Sequence, residues 1–280
     1  MKTKRVIKII FISLICIIII LLVYGPKILD KYSVSPDKYI DRDTISMKSS
    51  QIIGLDSSIK TPTGVTYDEV AGTFWLCDYG NEDKQCSIYE LSKDFRLTGR
   101  EIELTSILDV DWNLQGITYD SQEDSFWIAV GNKVVEVDKE GNELSEIVLA
   151  QFGKFKSNGI AYDKESNSLW ILCDRKLLIN CSKNGIVQRS IECNISDQDH
   201  LFWVDASCLY ISAGADYNGD DNFIMEFELD TKKIKVLYRL EDSFAIEGIF
   251  VLDGKLYVIN DGNYHDAKIK NNYVSCYDLD

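Results

Sequence analysis

After residue 60 the chain alternates short apolar runs with clusters of turn-forming residues, and beyond residue 40 no stretch carries the 3.6-residue spacing of a helix. The same order of apolar and polar positions returns five times. It reads PTGVTYDEVAGTFWLCD over 62–78, LQGITYDSQEDSFWIAV over 114–130 and SNGIAYDKESNSLWILCD over 157–174. Degraded copies follow as HLFWVDASCLYISAGAD over 200–216 and IEGIFVLDGKLYVIND over 246–261. Taking Gly64, Gly116, Gly159, Leu201 and Gly248 as register residues gives steps of 52, 43, 42 and 47 residues. Periods of about 40–50 residues with four short strands each are the signature of propeller blades.

Each unit opens with a β-branched and aromatic run such as Ile117-Thr118-Tyr119, turns through acidic or Gly-containing residues, and continues into a second run such as 126–130. Good strand formers around turn residues predict a hairpin. Third strands are expected at 88–91, 134–137, 177–180, 224–229 and 273–279, and fourth strands at 101–104, 144–149, 188–193 and 234–240. The phrases KEGNELSEIVL and KNGIVQRSIEC place turn residues between strands three and four, as a meander requires. The last unit lacks a fourth strand before the chain stops at Asp280, whereas 50–55 sits where every other fourth strand sits. The N-terminal segment is therefore expected to supply the outer strand of the last blade, which removes two exposed edges. The predicted fold is all-β: a five-bladed β-propeller closed by an N-terminal strand and preceded by one transmembrane helix.

The first 30 residues are a separate element. Residues 9–24 carry no charge, and with Val6 and Ile7 the apolar stretch approaches the roughly 20 residues that span a bilayer. Lys2, Lys4, Arg5 and Lys8 favour a cytoplasmic N-terminus. A cleavable signal peptide would want small residues after the apolar core, where Leu21, Leu22, Val23 and Tyr24 stand, and a lipidated Cys16 would lie in mid-run. The expected organisation is a cytoplasmic tail (1–8), a transmembrane signal anchor (9–25), a tether (26–44) and an extracytoplasmic propeller (45–280) at the plasma membrane.

A net charge of −15 argues against nucleic acid as a partner. It suits cationic ligands and equally describes a solvated surface. The expected partners are a small ligand or another envelope protein, with the membrane engaged only through the N-terminal helix. Seven cysteines lie outside the apolar stretch, so at least one is unpaired within the chain. Cys77 with Cys86, and Cys173 with Cys181, sit on neighbouring strands; disulfide and buried hydrophobe are both open readings. With no C-x-x-C and two histidines, a thiolate–imidazole metal site is not indicated.

In a propeller the innermost strand starts, and the second strand ends, at one mouth of the axial channel. At the first position the repeat places Thr63, Gln115, Asn158, His200 and Glu247; at the second it places Asp78, Gly131, Asp174, Asp216 and Asp261. A polar, acidic ring suggests a hydrated ligand-binding mouth or a calcium site, against the plain alternative of Asp as a turn residue. Asp216, Asn218 and Asp220 also reproduce the first three ligand positions of a calcium loop, although Asp221 and Phe227 replace the Gly and the acid of an EF-hand. Candidate metal ligands are thus Glu247, Asn158, Asp216, Asn218 and Asp220. No G-x-S-x-G occurs, and His265 lies in a Gly/Asn-rich loop with no predictable nucleophile partner. Trp75, Trp127 and Trp170, with Tyr210 and Tyr257 in their place later, recur at one position and are assigned to packing between blades.

The phrases GVTYDEVAGTFWLCD, GITYDSQEDSFWIAV with VVEVDKEGNELSEIVL, and IEGIFVLDGKLYVIND resemble the SdiA-regulated family of bacterial propellers with NHL-like repeats. That resemblance covers about residues 45–280 and implies an anchored envelope protein with a calcium site, but no agreed activity. A weaker resemblance is to the gluconolactonase-like, or senescence-marker, propellers. These hold a divalent metal with a Glu, an Asn and an Asp at the channel mouth. Glu247-Gly248 and Asn158-Gly159-Ile160 look like two of those motifs, while Gln115 or His200 stands at the third, beside Asp199. The expectation is a ligand- or protein-binding envelope module with calcium at the mouth; the alternative is a metal-dependent lactonase or esterase. Protease added to intact protoplasts should remove the propeller and spare the short N-terminal tail. A mature form released into the medium would overturn the anchor.

Overall fold

The computed structural model describes residues 44–80, 86–105, 114–153, 156–174, 177–193, 198–213, 216–219 and 221–279. The expected anchor and tether, apart from Thr44, lie outside them. Among the described residues no helix is long and apolar enough to cross a membrane.

Five antiparallel meanders form five blades. The first is β3 (Pro62–Asp68), β4 (Thr73–Asp78), β5 (Ser87–Leu91) and β6 (Leu97–Glu103). The second is β7 (Leu114–Asp120), β8 (Ser125–Val130), β9 (Lys133–Val137) and β10 (Glu143–Val148). The third is β11 (Ser157–Asp163), β12 (Ser168–Cys173), β13 (Leu177–Ser182) and β14 (Val187–Glu192). The fourth is β15 (Gln198–Asp205), β16 (Cys208–Ala213), β17 (Phe223–Glu228) and β18 (Lys233–Leu240). The fifth is β19 (Ile246–Leu252), β20 (Lys255–Asp261) and β21 (Asn272–Asp278), completed by β2 (Gln51–Gly54).

The closure expected from the sequence is present: Gln51, Ile52, Ile53 and Gly54 pair antiparallel with Cys276, Ser275, Val274 and Tyr273. The structure adds a second anchorage. Strand β1 (Thr44–Met47) runs parallel to β18, with Thr44 opposite Leu237 and Met47 opposite Leu240. The N-terminal segment therefore straddles the fourth and fifth blades. At its corner Ser49 donates through both N and Oγ to Asp242 Oδ2, at 3.1 and 2.8 Å.

Packing follows the repeat. Each of the five large apolar clusters lies between two successive blades: one joins Trp75, Ile88 and Ile102 of the first blade to Ile117, Phe126 and Val135 of the second, and another joins the fifth to the first through Ile259, Val274, Val65 and Phe74. Trp75, Trp127 and Trp170 are buried in these seams as expected. Guanidinium groups cover two of them, Arg100 at 5.3 Å from the Trp75 ring and Arg189 at 5.6 Å from that of Trp170.

Polar pins reinforce two seams. The Asp that ends the TYD phrase caps its own turn, Asp68 Oδ1 accepting from Val70 N and Ala71 N at 2.9 Å each. Its other oxygen meets Lys139 Nζ, from the turn between the third and fourth strands of the next blade, at 2.6 Å. Lys183 reaches Asp120 across the following seam in the same way.

Cys173 lies opposite Leu177, while Cys181 lies opposite Leu169, four residues further along the ladder. That offset is too long for a disulfide, and both side chains are buried thiols. A chain starting at Lys60 lacks β1 and β2, which exposes the edge of β21 and half-opens the ring. It should aggregate, or melt well below a chain starting at Lys38. Equal melting temperatures would show that the two strands contribute nothing to closure.

Candidate functional site

The inner strands approach most closely at one level. A methyl group on Gly64 would stand 2.6 Å from the Gln115 carbonyl oxygen, one on Gly116 2.8 Å from that of Asn158, and one on Gly159 2.9 Å from His200 Cα. A Cβ on Gly248 would collide with the Thr63 carbonyl. Glycine is required because the next strand's backbone fills the space. The fourth member of this ring is His200. Ladder register agrees: Val65, Ile117, Ile160, Leu201 and Ile249 each follow an irregularity at the same point of their hairpins.

The fourth unit is thus shifted by one residue from the register read in the sequence. His200 occupies the glycine level, and Asp199 takes the place beside Thr63, Gln115, Asn158 and Glu247. The second set shifts as well. Asp174 and Asp261 are equivalent, both donating their backbone N–H to the residue before the inner strand, Lys156 and Ala245, at 2.9 Å. Tyr79 makes this bond in the first blade, to Thr61 at 2.9 Å, so Asp78 stands one position earlier.

Several candidates prove to be occupied by structural work. Asp78 is buried and accepts from Lys60 N, Thr61 N and Gly80 N at 2.8, 3.1 and 3.4 Å; burial nonetheless raises its carboxyl above the usual range. Asp174 accepts from Lys156 N at 2.8 Å. Thr63 donates its hydroxyl to the Leu114 carbonyl at 3.0 Å. In the oxygen-rich loop, Asp216 accepts from Gly219 N and Asp221 N at 2.9 and 3.2 Å, so its carboxylate folds the loop. Asn218 is exposed on that loop, and Asp220 lies outside the described residues.

Glu247, Asn158, Gln115 and Asp199 are half-buried at the mouth. Glu247 Oε1 lies 3.3 Å from His265 Nε2, a partner the sequence did not reveal. The His265 ring stacks on Tyr217 at 4.3 Å between centroids and 12° between planes. Tyr217 is held in turn by Lys268 N, which donates to its carbonyl at 2.8 Å, and by a small apolar cluster of Phe244, Ala245 and Ala267. Asp261 is fully buried next to this pair; Oδ1 accepts from Tyr264 N at 3.1 Å, and Oδ2 has no hydrogen-bond partner among the described residues. Burial first, and the Glu247 charge second, push its carboxyl up to about 7. One acid of this mouth therefore exchanges its proton at neutral pH.

Among the described residues no group of three or more His, Cys, Asp and Glu is arranged to hold a metal ion. A set of one Glu, one Asp and one Asn is of another kind, and the shift in the fourth blade puts those three, Glu247, Asp199 and Asn158, at one level of the ring.

No family model matches the sequence, and no curated protein matches it. The SdiA-regulated resemblance accordingly stays a likeness of repeat phrases. Solved structures do match. Glutaminyl cyclase of Myxococcus xanthus superposes with a TM-score of 0.60 at 9% identity, covering 85% of this chain and all (100%) of that one. A calcium-binding protein, regucalcin, from Agrobacterium tumefaciens superposes with a TM-score of 0.51 at 9% identity, over 85% of this chain and 98% of that chain. At such identities the likeness shows the fold: the chain is a five-bladed β-propeller.

Asp261 supplies a pH test. Its raised carboxyl keeps a proton in the native state that the unfolded state has lost, so its contribution to stability falls as pH rises from about 4 to about 7. Urea unfolding of the parent chain and of Asp261→Asn at pH 4.5, 6 and 7.5 should show the parent losing on the order of 3 kcal/mol relative to the variant. A constant difference across that range would contradict the assignment.

Proposed function

We propose that this chain is a membrane-anchored, extracytoplasmic binding module that takes a divalent cation, calcium first, at the mouth where the inner strands begin. The observation that carries this reading is the common level of Glu247, Asn158 and Asp199 on three of the five inner strands. Calcium prefers carboxylate and amide oxygens, and these three residues offer hard oxygen donors. They would hold the ion, with Gln115 as a fourth candidate at the same level. His265, seated on Tyr217, would orient the Glu247 carboxylate, and Asp261 would adjust the local charge by losing its proton. The likeness to a calcium-binding regucalcin is compatible with this reading and belongs to the fold alone. Anchorage through residues 9–25 and an envelope location rest on the sequence.

A second reading shares the same ion. Bound there, a divalent cation polarises a carbonyl, which is the chemistry of a lactonase or esterase. The Glu, Asn and Asp set of the gluconolactonase-like propellers favours it. The half-buried acid–imidazole pair Glu247–His265 would supply proton transfer.

Melting the full chain in detergent with chelator and then with millimolar calcium tests the cation. An ion at one hundred times its Kd stabilises by about 2.7 kcal/mol, enough to raise Tm by several degrees. Glu247→Gln, Asp199→Asn and Asn158→Ala should each abolish the rise, and Glu192→Gln on the outer surface should not. No response to calcium would refute both readings. Calcium-dependent turnover of small lactones, lost in Glu247→Gln, would favour the hydrolase over the binding module.

A further inference from the structure

The second halves of the inner strands lie on the other side of the glycine level. A cavity of about 300 Å³ follows the second half of the inner strands and opens where they hand over to their partners, at the exposed Glu69, Lys164 and Val204. Its walls are uneven. At one ladder position three consecutive blades carry small residues, Thr66, Thr118 and Ala161, whereas the next two carry Phe202 and Phe250. The two phenyl rings meet edge-on at 5.0 Å and 76°. Space therefore collects on the side of the small residues, with an aromatic wall opposite. Tyr119 and Tyr162 add ring surface, their hydroxyls committed to Asp124 at 2.5 Å and Asn167 at 3.0 Å.

At the closed inner end of this cavity stands His200. It is 2% exposed; neither ring nitrogen makes a close, well-aligned hydrogen bond among the described residues, and the polar group nearest to the ring is the Leu201 backbone. Burying a polar group without a partner costs on the order of 1–3 kcal/mol, and the other four inner strands keep glycine at this level. An imidazole placed there is out of keeping with a packed seam and in keeping with a polar anchor at the end of an apolar pocket. Burial lowers its pKa to about 4, so at neutral pH it presents one donor and one acceptor and no charge.

We infer that this cavity is a second binding site, on the face opposite the proposed cation mouth, for a small uncharged aromatic molecule bearing a hydroxyl group. The volume lies at the lower end of the roughly 300–1,000 Å³ typical of ligand pockets, which limits the ligand to about one or two rings. A hydroxyl both donates and accepts, so it satisfies either tautomer of His200. A charged group would meet no counter-charge at the inner end and would be costly to bury there. The ring would lie between Phe202 and Phe250 on one side and the small residues on the other.

The chain has two histidines, which makes the anchor directly observable. With nitrogen-15-labelled histidine in the full chain, and resonances assigned through His265→Asn, phenol is added as the probe and anisole as its methyl-capped control. Phenol should shift the His200 ring resonances saturably in the millimolar range, and anisole should bind several-fold more weakly. His200→Leu should remove the phenol-dependent rise in melting temperature, while His200→Gln keeps part of it. Absence of any saturable shift at His200 up to the solubility of phenol would overturn the inference, as would an equal response to anisole. The comparison of the two probes on the parent chain decides the matter even if His200→Leu does not fold. Calcium plays no part in this measurement, so its outcome is independent of the cation reading.

Discussion

The contact on which the architecture depends is the approach of five inner strands to one another at the level of Gly64, Gly116, Gly159 and Gly248. Backbone meets backbone there with no room for a Cβ. Side chains then diverge above and below, as the right-handed twist of each blade carries neighbouring strands apart. The seams fill with apolar residues, and a cavity is left along the second half of the inner strands. Steric closeness at one level thus creates two chemically different chambers on one axis. The mouth is acidic and backed by loop residues; the cavity is aromatic and backed by strands.

Much of the ring was legible because a propeller repeats its demands. Three seams bury a large residue of the second strand, marked by Trp75, Trp127 and Trp170, and the other two hold the half-buried Tyr210 and Tyr257. Each turn after the inner strand needs an acceptor for its backbone N–H groups, and the Asp of TYD and AYD supplies one. Closure by β2 followed from an unfinished last unit. Register was harder. The phrases FWLCD and LWILCD look alike, yet the second is one residue longer, so Asp78 and Asp174 fall on different steps of the ladder. In the fourth unit the conspicuous glycine is absent, and aligning Leu201 with it slipped the reading by one. A one-residue error is invisible in a polar run and decisive at a site, because Asp199 and His200 then belong to opposite chambers. The partnership of His265 with Glu247 joins residues 18 positions apart through a loop closure that no local pattern encodes. The parallel pairing of β1 with β18 was likewise unreadable, since Thr44–Met47 is short and its partner lies some 190 residues away in the chain.

The lysines that cross two of the seams show how specificity is added to a symmetric scaffold. Apolar faces alone would tolerate a blade sliding along its neighbour. A buried carboxylate that already caps its own turn and also meets an ammonium from the next blade fixes the offset. Losing one partner would leave the other buried and charged, which is more costly than never having had the pair. The pins sit on the same face as the aromatic cavity, whose dimensions depend on that offset.

The double anchorage of the N-terminal segment has a mechanical consequence. Any pull transmitted through the residues before Thr44 reaches β1 first, then the Ser49–Asp242 corner, and only then β2. Tension directed along β1 loads all of its cross-strand bonds to β18 together, in shear, whereas tension across the sheet opens them one by one. The strand and the corner therefore act as a fuse in series with the ring. Lateral force strips four residues from the outside of the fourth blade while β2 still holds the fifth blade closed.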